Sequence, residues 1–113
     1  MNKRLVDVKM GLVYKFNSKI MEVDTTDEVK SLIKAAVAVS QKEFVENKDM
    51  NIESLLYDGY NSVESLNILS DHYFSTVYKA LRIEVKDSLV LSYLIGSMIT
   101  IRHGMMKELA AVA

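Results

Sequence analysis

The sequence contains no proline and only four glycines in 113 residues. Because proline and glycine are the residues that most often end or kink a helix, long helices can form here with few interruptions. Half of the residues are hydrophobic and 26% are charged, which is typical of a globular chain and not of a disordered one. A chain of this length is expected to fold as a single domain over residues 1–113.

Apolar residues recur at helical spacing in most of the chain. Thr25 and Glu28 have the spacing of a capping box, and the apolar residues from 29 to 44 that follow share one helical face. Asn51 and Asp87 are suitable N-caps for later helices. A helix is predicted to start at this capping box and to end near residue 46, and further helices are predicted over about 51–58, 63–82 and 87–109.

The segment 5–20 fits two interpretations. Alternating apolar residues from Val6 to Phe16 are typical of a half-buried strand, whereas Leu5, Val8 and Leu12 begin a helical face. No other convincing strand exists for it to pair with, and a lone strand leaves its hydrogen-bonding groups without partners, so helix is favoured. The sequence therefore predicts an all-α fold, a small bundle of four to five helices.

The chain carries no recognisable catalytic or metal-binding motif. His72 and His103 lie in different predicted helices, and neither has a second ligand at the spacing that helical metal sites use. The sequence has no cysteine and no glycine-rich phosphate loop. Its net charge of −1 provides no basic surface for nucleic acid. We expect no catalytic residue, no metal site and no nucleic-acid partner.

The hydropathy pattern does not predict a membrane span or a signal peptide. The longest uncharged run, residues 88–101, is shorter than the roughly 20 residues that a bilayer span needs. Asp7 and Lys9 interrupt the apolar part of the N-terminal segment, unlike the core of a signal peptide. Together with the absence of cysteine, this pattern fits a cytoplasmic protein.

The last predicted helix has a small residue at every fourth position. Ser88, Ser92, Gly96, Thr100 and Gly104 should form one shallow groove, along which a second backbone can approach closely. Large apolar residues surround the groove on most sides, so nearly every side of the helix needs cover. Two alternatives remain open: this is the central helix of the bundle, or the groove is a partner interface.

Residues 66–106 also resemble a known family. A Leu-x-x-x-Tyr-Phe-Ser-x-x-Tyr-x-x-Leu pattern spans Leu69 to Leu81, and an apolar helix follows after a short polar break. The pattern is similar to that of the small, non-catalytic subunit of two-component hexaprenyl and heptaprenyl diphosphate synthases. Upstream, residues 27–49 resemble the helix that precedes the motif in that family.

This resemblance implies an all-helical subunit that pairs with a catalytic prenyl diphosphate synthase subunit and helps to set product length for menaquinone side chains. The partner would carry the aspartate-rich motifs that bind Mg²⁺, and this chain has no such cluster. Tyr73, Phe74 and Tyr78 are then candidates for the wall of the prenyl-chain channel. The alternative is a helical interaction or regulatory protein that associates with itself and has no enzymatic activity.

Overall fold

The computed structural model describes residues 3–46 and 63–112, and every regular element in them is an α-helix. The helices are α1 (Lys3–Ile20), α2 (Asp27–Glu46), α3 (Val63–Glu84) and α4 (Ser88–Val112). The predicted all-α class is confirmed, and segment 5–20 is helical. The predicted short helix at 51–58 lies outside the described residues.

The four helices form an antiparallel bundle in which α4 closes the ring against α1. Tyr93, near the start of α4, donates a hydrogen bond to the carbonyl oxygen of Asp24, just beyond the end of α1. Near the end of α4, Glu108 pairs with Lys15 of α1. α1 also touches α3 across the bundle, whereas the described parts of α2 and α4 make no contact with each other.

Three aromatic rings occupy the centre of the core. The ring of Tyr73 meets that of Phe16 edge-on, with centroids 5.5 Å apart, and lies 4.9 Å from the ring of Phe44. The apolar face predicted for α2 points into this core, and the apolar face of α3 packs against it there. The buried hydrophobic residues of α2 and α3 are Ile33, Ala36, Val37, Phe44, Leu69, Tyr73, Val77 and Leu81.

The helix starts agree with the sequence in one case and differ in another. Asp87 caps α4 as predicted, because its Oδ1 accepts hydrogen bonds from the backbone N–H groups of Leu89 and Val90. At α2 the cap is Thr26, whose Oγ1 accepts a hydrogen bond from Val29 N at 3.2 Å. The cap predicted at Thr25 was therefore one residue too early. The sequence offered two adjacent threonines, and either side chain can cap a helix.

Lys9 is buried on α1, with 5% of its surface exposed, which the sequence did not predict. Its Nζ donates a hydrogen bond to the carbonyl oxygen of Phe44, in the last turn of α2, and lies 5.3 Å from the centre of the Phe44 ring. A cation in this place complements the negative end of the helix dipole. The ammonium thus joins α1 to the end of α2.

Candidate functional site

α4 buries only a narrow stripe against the bundle. Of its described side chains, those of Leu94, Met98 and Met105 are fully buried, and they lie on one line of the helix. Among the described helices, α1 and α3 contact α4. Within residues 3–46 and 63–112, α4 is therefore packed on one side and is not enclosed as a central helix would be.

The opposite side, here called the outer face of α4, is exposed and uncharged over three turns. Leu89 is 81% exposed, Ile99 56% and Tyr93 50%. The residues that make up the outer face are Leu89, Ser92, Tyr93, Gly96, Ile99, Thr100, His103 and Gly104. Most surface helices present polar side chains outward, and the outer face of α4 departs from that pattern.

Four of the five small residues of the predicted groove lie on the outer face. Ser92, Gly96, Thr100 and Gly104 are all exposed. The hydroxyl of Thr100 donates a hydrogen bond to the carbonyl oxygen of Gly96 at 3.2 Å. This hydroxyl is satisfied within the helix, so a partner could cover it without leaving a polar group unpaired. Their role in binding a partner stays a prediction.

A groove of about 520 Å³ runs between the outer face and the end of α1. Lys19, Glu22 and Val23 form the wall on the α1 side, and α4 supplies the floor at Gly96 and Thr100. The groove is open to solvent along its length and is more apolar than polar, which suits a side chain or a helix edge better than a small charged ligand.

The packing of the bundle does not require glycine at position 96. A Cβ atom placed on Gly96 would meet no atom within 4 Å. Glycine inside a helix costs about 1 kcal/mol relative to alanine. Nothing within the described residues offsets this cost.

Charged side chains hold the C-terminal half of α4 on the bundle. Arg102 donates a hydrogen bond to Asn67 Oδ1 at 2.8 Å and lies 3.5 Å from the carboxylate of Asp71, both on α3. Glu108 lies 3.6 Å from Lys15 and 3.5 Å from Lys19 on α1. These contacts are partly exposed and contribute little free energy each, but they fix which side of α4 faces the bundle.

Within the described part of the chain, α4 is the one helix whose length and apolar composition would allow it to cross a membrane. The stretch Ser88–Glu108 has a mean hydropathy of 1.3, and only 17% of it is buried in the bundle. A core helix of a soluble protein passes the same test of composition but is mostly buried, so the low burial again points to a surface that needs cover.

The three residues predicted for a prenyl-chain wall differ in how deeply they are buried. Tyr73 belongs to the core, is 2% exposed, and donates a hydrogen bond from its hydroxyl to Asn17 Oδ1 at 2.7 Å. Burial raises the pKa of the Tyr73 hydroxyl above its usual range. Phe74 and Tyr78 are half-buried against the same core. In this chain alone the ring of Tyr73 stabilises the bundle, and no surface is left on it to line a channel.

Among the described residues, the two histidines lie on different helices. His72 is half-buried on α3, with its ring 5.5 Å from that of Phe44, whereas His103 is exposed on α4. Among residues 3–46 and 63–112, no group of three or more histidine, cysteine, aspartate or glutamate side chains is placed to hold a metal ion.

Comparison with protein-family models, with curated proteins and with solved structures finds no match to this chain. Its function is therefore inferred from the geometry of α4.

Proposed function

We propose that this chain is a non-catalytic helical assembly subunit, which acts by binding another protein on the outer face of α4. The observation that carries the proposal is the exposure of Leu89, Tyr93 and Ile99 on the uncharged stretch 88–101 of α4, whose other side is already packed. A helix that is apolar nearly all round needs cover on both sides.

The exposed apolar surface is large enough to support binding. Leu89, Tyr93 and Ile99 expose roughly 300 Å² together, which is on the scale of the largest apolar patch of a typical monomer. Covering that area would contribute about 7 kcal/mol before the costs of association are subtracted. The costs of association are about 4–15 kcal/mol, so this apolar area by itself supports only a weak complex.

A protein partner fits this face better than a membrane span does. The uncharged stretch 88–101 is about 21 Å long as a helix, so a span of the roughly 30 Å bilayer core would place Arg102 within the hydrocarbon region. Spanning would also remove Leu94 and Met98 from the core and break the contacts of Arg102 with α3. A cytoplasmic location belongs to the same proposal.

The resemblance around Leu69–Leu81 favours a catalytic prenyl diphosphate synthase subunit as the partner. In that case Mg²⁺ and the reacting diphosphates would be bound by the partner, and this chain would complete the assembly and limit product length. Phe74 and Tyr78 are the better candidates for contact with a prenyl chain, since Tyr73 is enclosed by Phe16 and Phe44. The competing candidate, supported by the exposed outer face alone, is a protein that associates with itself.

The test is the mass in solution of the chain alone and after co-expression with a prenyl synthase from the same genome. A stable hetero-complex with new prenyl transferase activity would support the synthase subunit. A homo-oligomer that ignores the synthase would support self-association. A chain that stays monomeric at high concentration and captures no synthase would contradict the assembly function as a whole.

A further inference from the structure

We draw no further inference here: the strongest candidate, the groove between the outer face of α4 and the end of α1, rests on a stripe of small residues along an unpartnered helix face, and nothing in the structure shows what covers it.

Discussion

The hydroxyl of Tyr73 should make the stability of the fold depend on pH above about 10. This hydroxyl is buried in the core, where burial raises its pKa above that of an exposed tyrosine, about 10. The folded chain therefore keeps the proton to higher pH than the unfolded chain does. The full contribution of Tyr73 is present below pH 10 and is lost as pH rises from the unfolded pKa towards the folded one.

The magnitude follows from linkage. Each pH unit between the two pKa values costs about 1.4 kcal/mol, so the loss is about 1.4 kcal/mol by pH 11. In Tyr73→Phe the titrating group is absent, and so is its hydrogen bond to Asn17, which contributes about 1 kcal/mol at neutral pH. Wild type should be the more stable protein at pH 7, and the two free energies of unfolding should meet or cross near pH 11.

The measurement is urea unfolding followed by circular dichroism at several pH values between 7 and 11. A change of 1.4 kcal/mol corresponds to a shift of roughly 1 M in the urea midpoint for a domain of this size. Tyr14→Phe is the matched control, because Tyr14 is 76% exposed. The remaining tyrosines and the lysines are common to both proteins, so their titration cancels in the difference. A difference that stays constant from pH 7 to pH 11 would refute the reasoning.

Two further predictions concern α4 and the start of α2. Leu94→Ala should lower the free energy of unfolding by about 2–5 kcal/mol, because Leu94 is fully buried. Leu89→Ala should lower it by less than about 0.5 kcal/mol, because Leu89 is 81% exposed. Thermal unfolding at a concentration that keeps the chain monomeric checks both, and similar losses would show that α4 packs on its other side. Thr26→Ala should cost about 1 kcal/mol by losing the cap on Val29 N, and Thr25→Ala much less. If urea unfolding shows a larger loss of stability for Thr25→Ala than for Thr26→Ala, then Thr25 is the cap of α2.

Helical periodicity was sufficient to predict most of the bundle. The apolar spacing in residues 29–44 and 63–82 placed the correct faces of α2 and α3 in the core, since a helix that buries one face leaves that pattern in its sequence. Segment 5–20 fitted strand and helix alike, and the structure has helix there. The choice depended on the absence of a partner strand, which is a property of the whole chain.

Other features could not be predicted from local patterns. Lys9 is buried because the end of α2 lies where its ammonium can reach the carbonyl oxygen of Phe44, and nothing near Lys9 in sequence indicates that neighbour. The hydrogen bond from Tyr73 to Asn17 likewise joins residues of different helices. Such contacts are set by the way the helices cross, which sequence spacing within one helix does not contain.

The sequence by itself determined that this chain forms helices and that α4 needs cover on nearly all sides. Only the tertiary structure decided which side the bundle covers. A helix with apolar residues all round has no preferred inward face, so its orientation is set by the contacts it makes with other helices. Here Leu94 and Met98 are buried against the bundle, and Arg102 contacts α3. That orientation leaves Gly96 exposed, because two neighbouring helices can cover only one side of a third.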